Sequence, residues 1–336
     1  MKIRFLHNIK IIKVIISSGN RIAYTILLYR IFALIIKPID MLIGLLVSFF
    51  PPLKATPKMI FVAGSHRSGA TFVSQVIARH LPFYSIGNFD SLFPKSGYIF
   101  HKFIKPNLSK YRGKIYQNYY GQTSGLFEIN DAHEVWDQWY GGDHSTVPEK
   151  MTLIKKNMMF SYFSKLQASV KVPIISKSGR NSLNISRLNS IFTDSFFILV
   201  DRDLEDIVIS TLKAGNVFND KDRGWGLKIN NTTVKKHKNN KISKAVIQCI
   251  ELKNKINQQL RTINKNNYII IDYKTFCDDT DYQLKLIANA INARYGENYA
   301  VKTCNYNKFK AISYPQQELL KKVKKEIKKY RYMIDE

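Results

Sequence analysis

Cysteine is scarce in this chain of 336 residues, which has only Cys249, Cys277 and Cys304. These three lie far apart, no Cys-x-x-Cys pair occurs, and the seven histidines form no spaced metal-binding pattern. The absences exclude a disulfide-stabilised scaffold and the common zinc sites, because both need ligands at short, regular spacing. We therefore expect reduced thiols and a site that needs no metal.

Acidic residues are also in short supply. The chain has 25 Asp and Glu against 52 Lys and Arg, which gives a formal net charge of +27. So large an excess predicts anionic partners, namely a polyanionic nucleotide, acidic lipid headgroups, or both. The chain has no zinc-ligand pattern, no RNP-like aromatic motif and no helix-turn-helix signature, so we expect no nucleic-acid partner.

No uncharged apolar run is long enough to span a membrane, which takes about 20 residues. Residues 22–50 are strongly apolar, but Arg30, Lys37, Pro38 and Asp40 interrupt them. Pro38 is expected to break or kink the helix. No small-residue cleavage site follows, so the segment is not interpreted as a secretory signal.

Two interpretations of residues 1–50 remain open. One is a pair of helices in the membrane interface, held by apolar burial and by attraction of the basic N-terminal side to anionic lipid. The other is a soluble helical hairpin packed on the rest of the protein. Apolar residues surround both predicted helices, which favours the first interpretation. It predicts a peripheral or monotopic protein at the cytoplasmic face of the membrane, with residues 51–58 as a linker.

The most informative stretch, residues 61–72, reads FVAGSHRSGATF. It predicts a buried strand, a tight turn and the start of a helix, a geometry that gathers backbone N–H groups and a helix dipole around one anion. Gly64, Gly69 and Thr71 match the nucleotide-triphosphatase loop GxxxxGK[ST], but Ala70 stands in place of the lysine. Without that lysine, the loop is expected to hold a phosphate that is not itself transferred.

A second motif follows an apolar run at residues 196–200, which suits a central parallel strand. Arg202 comes at the end of this run, and Ser210 lies eight residues later in a predicted helix. A guanidinium offers paired donors at fixed spacing, which suits a phosphate. The same arginine could instead pair with one of the neighbouring aspartates as a surface ion pair.

Both motifs resemble those of bacterial, carbohydrate-type sulfotransferases that use 3′-phosphoadenosine-5′-phosphosulfate (PAPS). The first loop of that family reads close to GSPRSGTT, and the second motif reads RDPxDxxxS. This chain departs from them at His66, Ala70 and Leu204. The resemblance implies a cofactor site for PAPS made of His66, Arg67, Ser68, Gly69, Ala70, Thr71 and Phe72 around the 5′-phosphosulfate, with Arg202 and Ser210 at the 3′-phosphate.

Strands followed by helices are predicted at residues 59–80, 173–191, 196–213 and 268–293. This alternation predicts an α/β fold with a mostly parallel central sheet between two layers of helices, and the resemblance implies a P-loop-like sandwich over residues 59–336. The site should lie along the carboxyl edge of the sheet. Residues 83–172 are interpreted as a substrate-side insert, and residues 313–336 as a basic amphipathic helix.

An acidic and aromatic cluster at residues 128–139 resembles a block of bacterial sulfotransferases that runs roughly EPHExxxxWxxW. Transfer to a hydroxyl needs a base that removes the hydroxyl proton. Asp131 and Glu128 are the first candidates for this catalytic role, with Glu134 and His133 in reserve. The alternative is a helix N-terminus, where the dipole favours acidic residues.

Three other features lie outside the two anion motifs. Lys177 ends the predicted strand at residues 173–176, and the resemblance implies that it stabilises the leaving group, although a solvated lysine remains an alternative. Residues 224–228, GWGLK, are interpreted as a lid or acceptor-side loop. Trp136 and Trp139 have the spacing of one helical face, so we expect both in the core.

We therefore expect an enzyme that moves a sulfuryl group from PAPS to a hydroxyl of a glycan or glycolipid by in-line displacement, leaving adenosine 3′,5′-bisphosphate (PAP). Two alternatives stay open. Another P-loop enzyme, such as a nucleotide kinase, would need a lysine in the loop. A non-catalytic membrane- or glycan-binding protein that kept the fold would bind the donor weakly or not at all.

Overall fold

The computed structural model describes residues 16–49, 55–103, 116, 122–217, 226–227, 240–302, 309 and 317–334. Several expectations fall wholly or partly outside these ranges. They concern the basic residues before position 16, most of the linker, part of the predicted insert, Trp225 and Lys228 of the expected lid, Cys304, and residues 313–316 of the C-terminal helix.

The central sheet has five strands: β1 (Met59–Ala63), β2 (Tyr84–Ser85), β3 (Ile174–Lys177), β4 (Ser195–Asp201) and β5 (Tyr268–Asp272). They lie in the order β2-β3-β1-β4-β5, and all four pairings are parallel. The expected α/β fold with a mostly parallel sheet is therefore confirmed. The sequence did not predict β2, because two residues carry no periodicity.

Helices cover both faces of the sheet. Their bounds are α1 (Arg21–Ser48), α2 (Ala70–His80), α3 (Asn88–Leu92), α4 (Gly97–Phe103), α5 (His133–Tyr140), α6 (Leu153–Val170), α7 (Ile185–Ile191), α8 (Leu204–Val217), α9 (Lys241–Leu260), α10 (Tyr273–Asp278), α11 (Thr280–Tyr295) and α12 (Gln317–Lys329).

Strand β1 lies at the centre of the core, and all of its residues are buried. Its side chains alternate: Phe61 packs in a cluster with α5 and α6, whereas Ile60 and Val62 pack in a second cluster with α2 and α11. A strand that is covered on both faces reads as a continuous apolar run, which is why this segment was recognisable. Trp136 and Trp139 belong to the first cluster, as expected.

The expected break at Pro38 does not occur. Helix α1 runs unbroken from Arg21 to Ser48, with Pro38 inside it on the exposed side. Proline removes one backbone hydrogen bond, but contacts on both sides of it hold this helix to the domain. Tyr29 Oη donates to the carbonyl of Ser124 at 2.7 Å, and Asp40 accepts from the backbone N–H of Ser96 at 2.9 Å. Among the described residues, no helix is long and apolar enough to cross a membrane.

The C-terminal helix α12 packs by one stripe, as its periodicity predicted. Val323 is fully buried, and Leu320, Ile327 and Tyr330 join it in a third cluster with α8 and α9. Its lysines lie outside this stripe. This contact supports α8, the helix that carries Ser210.

Candidate functional site

The loop between β1 and α2 has the backbone of an anion cradle. Gly69 adopts φ +97° as the residue before α2, and a Cβ there would lie 2.3 Å from two ring carbons of Tyr273. Gly64 is equally constrained, because a Cβ there would lie 2.5 Å from Ser68 Oγ and 2.8 Å from the carbonyl of Val200. Both positions therefore require glycine, and the first turn of α2 presents amides without an intrahelical acceptor.

Ser68 adds an unsatisfied hydroxyl to this cradle. Its side chain is buried, and among the described residues its Oγ has no hydrogen-bond partner. Its backbone N–H is already used, since it donates to the carbonyl of Ser65 at 3.2 Å. A buried polar atom left unpaired is costly unless a ligand or water completes it. The hydroxyl of Ser68 is thus a feature that an anionic ligand would satisfy.

The side chains of the neighbouring loop residues point elsewhere. His66 Nε2 lies 3.7 Å from Cys249 Sγ, and Gly226 packs against the imidazole ring. Burial, followed by the charge of Arg67, lowers the pKa of His66 to about 4, so the ring is neutral at neutral pH. Phe72 packs edge-on against an aromatic group that includes Tyr273 and Phe276. These two residues, like Ala70, can therefore offer an anion mainly their backbone.

The second motif meets the first. Arg67 Nε donates to Ser210 Oγ at 2.9 Å, and Arg202 Nη1 donates to the carbonyl of Arg67 at 3.4 Å. Arg67 itself has φ +65°, a conformation that few non-glycine residues adopt. Loop, strand end and helix α8 thus bring two guanidinium groups and two serine hydroxyls to one region at the carboxyl edge of β1 and β4.

Arg202 is held in place by contacts within the protein. Only 7% of its side chain is exposed, and the guanidinium lies 3.0 Å from Asp206 Oδ2. The alternative of an ion pair between Arg202 and a neighbouring aspartate is therefore present in the structure, and the partner, Asp206, lies in the first turn of α8. The ring of Tyr273 supports the other side, with the guanidinium carbon 4.8 Å from its centroid. A fork fixed by two contacts is pre-organised for an anion.

Tyr273 is a site residue that the sequence reasoning missed. It begins α10 directly after β5, and its ring touches both Gly69 and Arg202. It therefore packs between the two motifs. The available signal was its position, because it is the first aromatic residue after a parallel strand and so lies at the carboxyl edge of the sheet.

Asp131 and Lys177 form an ion pair at the end of β3. Lys177 Nζ donates to Asp131 Oδ2 at 2.8 Å, and the backbone N–H of Gly179 donates to Oδ1 at 3.1 Å. Burial alone would raise the pKa of Asp131, but the Lys177 ammonium and these hydrogen bonds hold it below the ordinary value. The aspartate is therefore ionised at neutral pH. Because β3 neighbours β1, this pair shares the sheet edge with the cradle.

Of the two reserve candidates, His133 is half-buried and Glu134 is exposed. Burial is the main cause that lowers the pKa of His133 to about 3, so its imidazole is neutral. The ring stacks on His144 at 4.0 Å, and its Nδ1 has no hydrogen-bond partner among the described residues. The site therefore holds one ionised and one neutral group that can accept a proton.

Glu128 lies in a different environment. Its carboxylate pairs with Arg79 at 2.7 Å and accepts from Gln75 Nε2 at 3.3 Å, and it is almost fully buried. Arg79 is near the end of α2, about 14 Å along the helix from Ala70 at 1.5 Å per residue. The structure thus brings Asp131 and Lys177 together and places Glu128 against the far half of α2.

The segment after β3 holds the cradle and helix α5 in place, a role that its residues did not indicate in advance. Ser182 Oγ accepts the backbone N–H of Gly64 at 3.0 Å. Arg180 is fully buried and donates to the carbonyl of Gly141 and to Asp137, both at 2.7 Å. These contacts tie the cradle and helix α5 to the same 3-10 helical segment, Gly179–Leu183.

The charged side chains of the site that are described above include two arginines and one lysine. No group of three or more His, Cys, Asp or Glu side chains that could hold a metal ion occurs in the described part of the chain. Cys249 and Cys277 are free and buried, as expected for reduced thiols. The arginines and the lysine of the site are placed to bind a multiply charged anion directly.

Comparison with known proteins agrees with this geometry. A family model described as "Sulfotransferase family" matches residues 57–297. No curated protein gives a significant match.

Solved structures of low identity also match. A sulfotransferase of Mycobacterium avium is 12% identical with a TM-score of 0.46, covering 84% of this chain and 78% of that chain. One of Mycobacterium tuberculosis is 11% identical with a TM-score of 0.43, covering 82% and 77%. Retinol dehydratase, solved in a complex with retinol and PAP, is 12% identical with a TM-score of 0.34, covering 84% and 83%. At such low identities and scores, these likenesses support no residue assignment.

The family model is decisive because it covers most of the chain. The matched range includes the cradle, Asp131, Lys177 and the Arg202 motif. The protein therefore belongs to the sulfotransferase family, the enzymes of sulfuryl transfer.

Proposed function

We propose that this sulfotransferase takes the sulfuryl group from PAPS and delivers it to a hydroxyl of a glycan or glycolipid, with PAP as the second product. The observation that carries the proposal is the meeting of the two motifs, in which Arg67 contacts Ser210 and Arg202 contacts the backbone of Arg67. Two adjacent anion sites suit a nucleotide that carries phosphates on both sides of its ribose. ATP has one phosphate chain and relies on the loop lysine that Ala70 replaces.

The residues present fit such a donor. The amides at the start of α2, the unpaired Ser68 hydroxyl and the Arg67 side chain are proposed to hold the 5′-phosphosulfate end. Arg202 and Ser210 are proposed to hold the 3′-phosphate, with Tyr273 supporting the guanidinium. The donor supplies an activated sulfuryl group, and the protein supplies its position.

Asp131 and Lys177 are proposed to act on the reacting groups. As the acceptor oxygen bonds to sulfur and the bond from sulfur to the 5′-phosphate breaks, negative charge grows on that phosphate. Lys177 places an ammonium for this charge. Asp131 is ionised and can take the hydroxyl proton. His133, neutral and with an unpaired Nδ1, is the second candidate for the base.

Glu128 is proposed to have a structural role. Arg79 and Gln75 occupy both of its carboxylate oxygens. This pairing binds the far half of α2 to the segment that carries Asp131. The Asp131 carboxylate, which pairs in its turn with Lys177 and Gly179, instead lies at the sheet edge beside the cradle.

A glycolipid is the favoured acceptor within this class. Tyr29 of the apolar helix α1 contacts Ser124, which lies seven residues before Asp131 in the segment that leads to it. An acceptor hydroxyl attached to a lipid would thus approach the proposed base from the side of the molecule that bears α1. This neighbourhood supports an acceptor near a membrane surface.

The test is transfer of labelled sulfate. The full chain is incubated with radiolabelled PAPS and with separate glycolipid and polysaccharide fractions from membranes. We expect label in the glycolipid fraction, and none when Arg202→Ala replaces the wild type. Lys322→Ala serves as the control, because it removes one exposed cation of α12 that has no part in the proposed site. Binding of PAP without label in either fraction would refute the acceptor class and leave the donor standing.

A further inference from the structure

Helix α1 is held against the protein by apolar and polar groups, and it exposes mainly apolar groups to the solvent; on its inner side, Ala23 and Ile26 are buried. On its inner side, Asp40 is 1% exposed and accepts from the backbone N–H and the hydroxyl of Ser96. Gly44 approaches so closely that a Cβ there would lie 2.7 Å from Lys95 Cβ. Tyr29 donates to the Ser124 carbonyl. The helix is thus fixed to the domain by hydrogen bonds and close backbone contact.

Its outer side is apolar along more than five turns. Most large apolar side chains between residues 28 and 49 are exposed, including Leu34 at 71%, Ile35 at 65%, Leu42 at 60% and Leu45 at 59%. A surface helix in water instead turns polar residues outward. An exposed apolar surface of this length marks an interaction site.

We propose that the outer face of α1 docks in the boundary between headgroups and acyl chains of an anionic lipid surface. The face is a convex ridge, with exposed apolar residues flanking the anchored stripe on both sides, and so it suits a fluid acyl layer that can surround half a helix. The exposed charges described on α1 are Arg21 and Lys37, whereas its acidic residue, Asp40, is buried. Together with a net charge of +27, this complements anionic headgroups.

The docking also explains the position of α1 beside the segment that carries Asp131. A helix lying in the interface would hold the acceptor side of the domain against the lipid surface. This consequence rests on the proposed glycolipid acceptor, whereas the docking itself does not, and the two can fail separately.

The experiment measures flotation of the full chain with vesicles. One vesicle has two parts phosphatidylcholine to one part phosphatidylglycerol, and the other is phosphatidylcholine alone. Leu34, Ile35, Leu42 and Leu45 are replaced together by Gln, which keeps the helix propensity and leaves the inner anchors intact. The control variant, Tyr282→Ser with Tyr332→Ser, removes two exposed side chains outside α1. Affinity for PAP and the far-UV spectrum report whether each variant is folded.

We expect the wild type and the control to float with the anionic vesicles, and more weakly with the neutral ones. The quadruple variant should partition at least tenfold less while binding PAP like the wild type. If the wild type stays unbound with both vesicles, or if the variant floats equally well, the proposal is overturned. A wild-type dimer that dissociates in the variant, with no flotation of either, would show that a second copy covers the face. Flotation without PAP affinity would support the docking and refute the proposed donor.

Discussion

Replacing Gly69 by alanine is expected to damage both stability and donor binding. Two separate costs arise at this position. An alanine at φ +97° is strained by about 1–2 kcal/mol, as left-handed conformations cost L-residues. Its Cβ would also lie 2.3 Å from the ring of Tyr273, and forcing an extra carbon into a packed site costs about 1–3 kcal/mol. The sum, about 2–5 kcal/mol, should appear as a lower free energy of unfolding.

Gly69→Ala should also disturb Arg202 of the second motif, because it would displace the ring of Tyr273. Tyr273 supports the guanidinium of Arg202 at 4.8 Å, so a displaced ring releases one side of the fork. We expect the Kd for PAP to rise at least tenfold, about 1.4 kcal/mol of binding free energy.

Gly296→Ala is the matched control. Gly296 has φ +63°, and nothing lies within 4 Å of a Cβ built there. It carries the strain without the clash, so its cost should be about 1–2 kcal/mol with PAP affinity unchanged. Denaturant unfolding and calorimetric titration with PAP give both quantities for each variant.

A double-mutant cycle with Tyr273→Ala isolates the clash. If the ring is the cause, the double variant should be more stable than the sum of the two single losses by about 1–3 kcal/mol. Additive losses, or a Gly69→Ala protein that matches Gly296→Ala in both assays, would refute the account of the cradle.

Three further outcomes follow from the ion pairs. Asp131→Asn should lower the free energy of unfolding at neutral pH by about 1–3 kcal/mol, because it leaves the buried Lys177 ammonium without its carboxylate. Since the folded pKa of Asp131 is lowered, this gap should be complete above about pH 4 and close as the pH falls, measured as denaturant midpoints across pH. Lys177→Ala should reduce kcat about 10²–10³-fold with a far smaller change in PAP affinity, measured by labelled transfer and calorimetry. Glu128→Gln should cost about 1–3 kcal/mol of stability through Arg79 and leave kcat near the wild-type value; a loss as large as that of Lys177→Ala would restore Glu128 as the base.

The sheet and both anion motifs could be predicted from sequence because their signals are local. Buried parallel strands such as β1 and β4 appear in the sequence as apolar runs. The cradle requires glycine at positions 64 and 69, and these glycines are visible in the sequence. The order of the strands was not predicted, because it depends on pairings between segments far apart in the chain. The family resemblance rested on the same local motifs.

The choice among the acidic residues could not be predicted, because it depends on contacts between distant parts of the chain. Lys177 lies 46 residues from Asp131, and Arg79 lies 49 residues from Glu128. In the sequence, both carboxylates precede one helix and look alike. Their partners belong to different layers of the fold, and they place Asp131 at the sheet edge and Glu128 against helix α2.

The conformation of helix α1 could not be predicted either, because it also depends on contacts between distant residues. Its composition indicated apolar residues on every side, and Pro38 indicated a break. The anchors that fix one side come from residues far along the chain, since Ser96 lies 56 residues from Asp40 and Ser124 lies 95 residues from Tyr29. With these contacts in place, the helix can tolerate its proline on the outer side.

The central claim is that one nucleotide with two separate phosphates bridges the two motifs. The direct measurement is calorimetric titration of the wild type and Arg202→Ala with PAP and with adenosine 5′-monophosphate, which lacks the 3′-phosphate. The account predicts that the wild type prefers PAP about 30-fold, as one charge-assisted phosphate contact of about 2 kcal/mol provides, and that Arg202→Ala loses this preference. An equal preference for PAP in both proteins would contradict it.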